Sequence, residues 1–467
     1  MLKKKAMNLI IIMLLISIST IGCSNQSVNN GENSIKGNKE EGNNTESVQL
    51  NTKEVLNSGV EQTLNISIYE EDEFYNEAAK KFMDKYPHVK VNVNSFTAPN
   101  LIEMPGGAVM STAPSPEQTE EKYITKLNTE LMSGRAGDII VDLNSLPLVK
   151  YIESGNLMEL NYYLQNDDEI NLDEYYDNVI DAHENSKGKL YALPISFSMD
   201  TLGLNMELAR EAGVNVNIDK DYYSIKDATS MGMEILEKVE GNNIVLFLQR
   251  PISLVFMDIS NNYNKYINHE EKKAYFDSED FYTILTTYKN LYDNGYFKDY
   301  DYLKDELIIT DGWGGQDAYF QLHPDNEYKY KPQAGDNGEI DCISSTVSIN
   351  SSSQNKALAW EFIKFLLSEE IQSSKQIIFT PVYKKAFISN SKEYVSYLQS
   401  KGNDYLKADE YIELYDGWAK TINHHYCKDL NIRNFIVEEL EDLFSGKKSA
   451  KDTQKSLQNK ITTYLNE

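Results

Sequence analysis

Residues 63–93 constrain the fold more than any other stretch of the chain. The run TLNISIY (63–69) alternates apolar and polar residues, which is the period of a β-strand. Phe74, Ala78, Phe82 and Met83 then share one face of a helix over 74–86, and Pro87 stops it. Alternation returns over 89–93. Strand, helix and strand in so short a stretch predict a βαβ unit, and with it a parallel α/β sheet. Ligands of such sheets sit beyond the carboxyl ends of the strands. That rule singles out Glu70, just past the first strand. The other reading of Glu70 is an acid that complements the dipole of the helix after it. A short buried strand is expected at 138–143, and Asp142 near its end is a second candidate of the same kind.

A different pattern occupies 190–214, LYALPISFSMDTLGLNMELAREAGV. A strand over 191–194 must end or bend at Pro194, because proline has no N–H for a ladder. Ser196, Ser198 and Asp200 then alternate with Phe197 and Met199, as in a strand with one polar and one apolar side. A second buried strand follows at 202–204. Asn205 is a good N-cap for a helix over 206–212, and Gly213 is a good C′ residue. We read this segment as a crossover between two domains. Phe197 and Asp200 would then face the cleft between them.

The two ends of the chain differ from its body. Lys3, Lys4 and Lys5 precede an apolar run over 9–18, and small residues lead to Cys23. This is the layout of a secretory signal, and the apolar run is short for a bilayer span. Residues 24–59 are rich in Asn, Ser, Gly, Glu and Lys and almost free of large apolar side chains. They are expected to form a flexible tether. Some 400 residues remain, enough for two domains. The formal charge is −27, and removing 1–22 takes away three lysines and no acid, which leaves −30. Such a surface repels phosphate backbones and argues against a nucleic-acid partner. Cys342 and Cys427 are the cysteines of the body, and a disulfide between them is one option. No Cys/His cluster has zinc-site spacing, and no nucleophile elbow, metal motif or phosphate loop appears. No cofactor is expected.

Several stretches, in order, carry a family resemblance. They are FMDKYPHVKVNV (82–93), GRAGDIIV (134–141) with YIESGNLMELNYYL (151–164), the segment 190–214, SINSSSQNKALAWEFIKFLLSEEIQ (348–372), TPVYKKAF (380–387) and SGKKSAKDTQKSLQNKITTYL (445–465). Taken together, 63–467 resembles the extracellular solute-binding proteins of ABC transporters, in the sugar-binding subgroup. Gly137 stands where that family has proline, and Leu204 where it often has tyrosine. The Gly22–Cys23 junction resembles the lipobox of bacterial lipoproteins, with Thr20 where leucine is preferred. The resemblance implies a two-lobed, type II periplasmic-binding-protein-like α/β fold with hinge strands. Lobe 1 would comprise 61–195 plus 342–379, and lobe 2 196–341 plus 380–467. It also implies a signal peptide (1–22), lipidated Cys23, a tether to residue 60, and a monomer held on the outer face of the cell membrane. The partners would be a carbohydrate and the permease subunits of an ABC importer.

The remaining candidates follow from that frame. Arg250 follows an apolar strand over 243–249 and is either a fork for a ligand hydroxyl or carboxylate, or a surface ion-pair partner. Trp313 lies between Gly312 and Gly314, beyond a strand expected at 307–309. In maltodextrin-type members a similar run places a ring against a sugar face, and sugar rings do offer an apolar C–H face to an aromatic. A core-capping role is the alternative for Trp313. Trp360 falls on a helix face with Phe362, Ile363 and Leu366 and is expected in the core. Segments 342–349 and 380–381 would be the second and third crossings, with Tyr383 a candidate ring beside the last. Two other readings stay open: a non-sugar solute such as a peptide or organic anion, and a secreted carbohydrate-active enzyme using paired carboxylates.

Overall fold

The computed structural model describes residues 52–57 and 59–467, except 98–100, 104–108, 112–115, 217–219, 240–243, 248–250, 298–305 and 426–428. The expected signal segment, Cys23, Arg250 and Cys427 lie outside the described residues. Strands β1 (Gln62–Glu70), β2 (Val89–Thr97), β3 (Ile139–Asp142) and β4 (Leu193–Ser198) precede β5 (Asp200–Asn205), β6 (Tyr223–Ser224), β7 (Ile309–Trp313) and β8 (Tyr328–Ala334). Strands β9 (Asp341–Ile349), β10 (Thr380–Pro381) and β11 (His424–His425) follow. One sheet runs β10-β4-β9-β3-β1-β2, with β11 beside β9; a second runs β7-β5-β8-β6.

The βαβ unit forms as its periodicity requires. Strand β1 pairs in parallel with β2 and with β3. The helix Glu73–Lys85 buries Phe74, Tyr75, Ala78, Ala79 and Phe82. Asp72 caps it, its carboxylate accepting from Phe74 N at 2.8 Å. Phe82 meets Phe362 and Phe365 with ring centroids 5.2 and 5.3 Å apart. Those two rings belong to the helix Lys356–Leu367, in which every residue from Ala357 to Leu367 is buried. A helix apolar almost all round belongs inside a protein, and Trp360, 1 % exposed, is in the core as expected.

Strand β9 is inserted antiparallel between β3 and β4. All six residues of β4 are buried. The expected strand with one polar, open side is therefore corrected: β4 lies inside the sheet, flanked by β9 and β10, and interior strands of α/β sheets are covered on both faces. Pro194 is accommodated within it by a register shift on β9 between Ser345 and Thr346. Met199 alone separates β4, in the first sheet, from β5, in the second. Asn205 caps the next helix, Met206–Glu211, accepting from Glu207 N and Leu208 N.

The tether is shorter than its composition implies. Thr52–Asn57 is a helix, Val55 and Leu56 pack against the core, and Val55 O accepts from Gln62 Nε2 at 3.0 Å. Those two apolar side chains are enough to dock one turn and a half. By Cα proximity, 52–467 forms one compact unit.

Gly137, the residue in the family's proline position, is held tightly. Its N–H donates to Ser67 Oγ at 3.1 Å and its carbonyl accepts from Asn350 Nδ2 at 3.2 Å. A Cβ there would lie 2.7 Å from Ser67 Oγ and 2.9 Å from both Asn65 O and Ser67 N. Two of those atoms are strand backbone, so the clash cannot be relieved by a side-chain rotation. Gly137→Ala is expected to cost roughly 1–3 kcal/mol, the usual range for forced overpacking. A urea midpoint equal to the parent's would show that β1 and this turn yield freely.

Candidate functional site

The register of the first sheet places Glu70, Asp142 and Ser198 at the carboxyl ends of β1, β3 and β4, on one edge. On that edge Asp142 is 3 % exposed. Its Oδ1 accepts from Ser145 N at 2.8 Å and Leu146 N at 3.1 Å. Burial outweighs these bonds and raises its pKa to about 6. Asn144, in the same turn, has φ +67°, a left-handed conformation that asparagine tolerates better than most residues. Three buried tyrosines, Tyr75, Tyr123 and Tyr151, feel the charge of Asp142, and burial together with that charge raises all three. The Tyr75 hydroxyl shares a 2.9 Å hydrogen bond with Ser345 Oγ. Tyr123 Oη and Thr346 Oγ1 are buried with no hydrogen-bond partner among the described residues. Thr346 is the β9 partner of Asp142. A carboxylate and two unsatisfied hydroxyls at a strand-end edge suit a hydroxyl-rich ligand, since buried polar groups are costly until paired.

The second half of the candidate site lies where the sheets meet. Asp200, first in β5, is the register partner of Trp313, last in β7. Gly314 N donates to Met199 O at 2.9 Å, which ties the end of β7 to the junction. Trp313 thus lies within a strand rather than beyond one. The strand expected at 307–309 is divided: Glu306–Leu307 pairs elsewhere, and Ile309 starts the run that reaches Trp313.

Not all the candidates converge. Glu70 and Asp142 end adjacent parallel strands, and Asp200 and Trp313 are paired across the junction. Phe197 is fully buried and packs edge-on against Tyr176, centroids 5.2 Å apart. It is a core residue, for the reason that closes both faces of β4. Tyr383 is 5 % exposed, its ring lies 5.2 Å from that of Tyr175, and its hydroxyl donates to Glu369 at 3.3 Å. That packing holds the start of the helix Lys384–Ser400 and accounts for the ring without a ligand. Tyr123, Thr346 and Asn144 were not singled out from the sequence. Only Asn144 carried a local signal, an Asx residue directly after a strand.

The geometry is that of the two-lobed α/β periplasmic-binding fold. Residues 115–397 match the bacterial extracellular solute-binding protein family, well over half of the chain. The chain belongs to that family. No curated protein sequence matches it. Among solved structures, it is similar to the sugar-binding protein MalE from Xanthomonas citri, with TM-score 0.57 and 18 % identity over 86 % of this chain and 97 % of that one. An ABC substrate-binding protein from Listeria monocytogenes, in complex with cycloalternan, gives TM-score 0.54 and 17 % identity over 87 % and 99 %. An ABC transporter solute-binding protein from Thermotoga lettingae TMO, bound with α-D-tagatose, gives 0.53 and 18 % over 86 % and 100 %. Identities this low establish the fold, and the residues must carry the rest. Among the described residues no helix is long and apolar enough to cross a membrane.

Proposed function

We propose that this chain is a lipid-anchored binding protein that captures a sugar or oligosaccharide between two lobes and delivers it to an ABC importer. The lobes are 61–195 plus 342–379 and 196–341 plus 380–467, hinged where the segments near Met199, Asp341 and Thr380 pass between them. The observation that carries the reading is the pairing at the sheet junction. A buried carboxylate with unsatisfied hydroxyls ends the first sheet, and the Asp200–Trp313 pair begins the second. Carboxylates and hydroxyls serve sugar hydroxyls, and Trp313 would serve a sugar's apolar face. Glu70, Asp142, Asp200 and Trp313 are the ligand residues of this reading. The ligands named for the Listeria and Thermotoga structures are of the same chemical class. Cys23 would carry the lipid, and the chain would work as a monomer without catalysis.

The test is calorimetric titration of the soluble body with a panel of mono- and oligosaccharides. A binding sugar is expected, and Trp313→Ala is expected to weaken it at least tenfold, about 1.4 kcal/mol. Sugar affinity that survives that change would remove the stacking assignment. Release of a cleaved product during the titration would replace the binding reading with an enzymatic one. Failure of all sugars beside success with a peptide or organic anion would move the ligand class. Membrane retention of a Cys23→Ser variant would remove the anchor.

A further inference from the structure

Three residues far apart in the chain meet beside the second crossing. One ring nitrogen each from His183 and His425 and the sulfur of Cys342 lie within 4.8 Å of one another. Cys342 and His425 are Cα partners across the parallel pair β9 and β11, so their side chains leave the same face. His183 lies just past the helix Asp177–Asp181. That helix is tied to the approach to β11, since Asn178 Nδ2 donates to Ala419 O at 3.0 Å and Ile422 O at 2.9 Å. Three separate segments therefore present the trio from a fixed frame.

The tautomers are set by the backbone. His183 Nδ1 lies 2.7 Å from Val179 O, and His425 Nδ1 lies 3.0 Å from Cys342 O. A carbonyl only accepts, so each Nδ1 must carry the proton and each Nε2 the lone pair. A carbonyl holding the second ring nitrogen is the support that metal-ligating histidines usually have. His183 Nε2 is buried and has no hydrogen-bond partner. Cys342 is a free, fully buried thiol whose sulfur has Ser344 Oγ at 3.6 Å.

We propose that His183, Cys342 and His425 form a site for a borderline-soft transition-metal ion, Zn²⁺ by preference. Two imidazoles and one thiolate make a donor set that zinc accepts, with a fourth position for water or another ligand. Burial keeps both rings neutral, the ligating form: His183 is pushed down to about 4, and His425 to about 3 by burial and by its neighbour. The rings lie face to face, centroids 3.9 Å apart and planes 18° from parallel. Coordination therefore requires one ring to turn out of the stack so that both lone pairs reach a common point. Binding converts the Cys342 thiol to thiolate and releases its proton to solvent. No redox step is involved. An ion here would clamp the returning strand β9 to β11 and to the loop after Asp177–Asp181.

The experiment is titration of the chain from Ser24 onward with Co²⁺ and then Zn²⁺. We expect uptake of one Co²⁺ per chain with a thiolate-to-cobalt charge-transfer band, bleached by Zn²⁺. Cys342→Ser should abolish the band, and His425→Gln should weaken metal affinity at least tenfold. Cys427→Ser should change neither. The far-ultraviolet circular dichroism of each metal-free variant shows whether it folds. If Cys342→Ser does not fold, Zn²⁺ must still raise the melting temperature of the parent chain and fail to raise that of His425→Gln. A parent chain that takes up no Co²⁺, a band that persists in folded Cys342→Ser, or equal stabilisation of parent and His425→Gln overturns the site.

Discussion

Replacing Lys364 by methionine is expected to destabilise the fold by about 3–5 kcal/mol, the usual cost of stranding a buried charge. Lys364 Nζ lies 3.0 Å from Asp167 Oδ2, 2.9 Å from Glu361 Oε1 and 2.8 Å from Glu169 Oε2. The side chains of Lys364, Asp167 and Glu361 are only 7 %, 7 % and 6 % exposed. Burial disfavours the ammonium, yet its bonds to Glu169, Glu361 and Asp167 outweigh that and raise the Lys364 pKa. Asp167 shows the converse. Burial works against its charged form, while Trp360 Nε1, at 2.9 Å, and Lys364 together lower its pKa. Methionine keeps the volume and removes the charge, so two carboxylates would stay buried without a cation. Adding Asp167→Asn and Glu361→Gln to Lys364→Met should recover most of the loss, because a buried ionic cluster is worth little over a neutral one. Urea unfolding of the single and triple variants measures both. A single variant within about 1 kcal/mol of the parent would mean that water reaches the carboxylates, and the burial argument would fail.

The parts of the fold that were legible are those with local periodicity. The βαβ start, the Asn205 cap, the apolar helix carrying Trp360 and the strand leading into it are each written within about twenty consecutive residues, so local pattern rules reach them. What was not legible depends on which strands become neighbours. Phe197 alternates with serines as an edge residue would, but β9 and β10 flank its strand and bury it. Tyr383 is one of 32 tyrosines, and only the packing of Tyr175 and Glu369 shows that it is structural. Tyr123 and Thr346 become site candidates because register brings β9 against β3, and no local signal encodes that pairing. The Cys342–His183–His425 cluster is the extreme case. Zinc motifs are read from short spacings, and these ligands come from three segments joined only by the fold.

Two buried acids make stability depend on pH, and Asp258→Asn is expected to remove most of that dependence. Asp258 is 4 % exposed on the helix Pro251–Asn261. Asn262 Nδ2 lies 3.3 Å from its Oδ1, and its Oδ2 has no hydrogen-bond partner. Burial first, then the charge of Asp336, raises its pKa to about 7; Asp280 adds to the rise, and Lys265 and Lys226 oppose it. Lys265 is already engaged, 2.5 Å from Asp280 and 3.0 Å from Asp336, so its charge is shared. The folded pKa lies above the ordinary carboxylate value, so the folded chain holds this proton more tightly than the unfolded chain. The associated stability is fully present below about pH 4 and is lost as pH rises towards 7. At roughly 1.4 kcal/mol per unit, the loss is on the order of 4 kcal/mol. Asp142 has the same sign over a narrower window, from about pH 4 to its own value of about 6. An asparagine at 258 keeps the acceptor for Asn262 and never ionises. Urea unfolding at pH 5 and pH 8 should show the parent chain losing stability and Asp258→Asn losing far less, so that the variant is the more stable at pH 8. Parallel losses in the two proteins would place the titrating group elsewhere, with Asp142→Asn the next variant to measure.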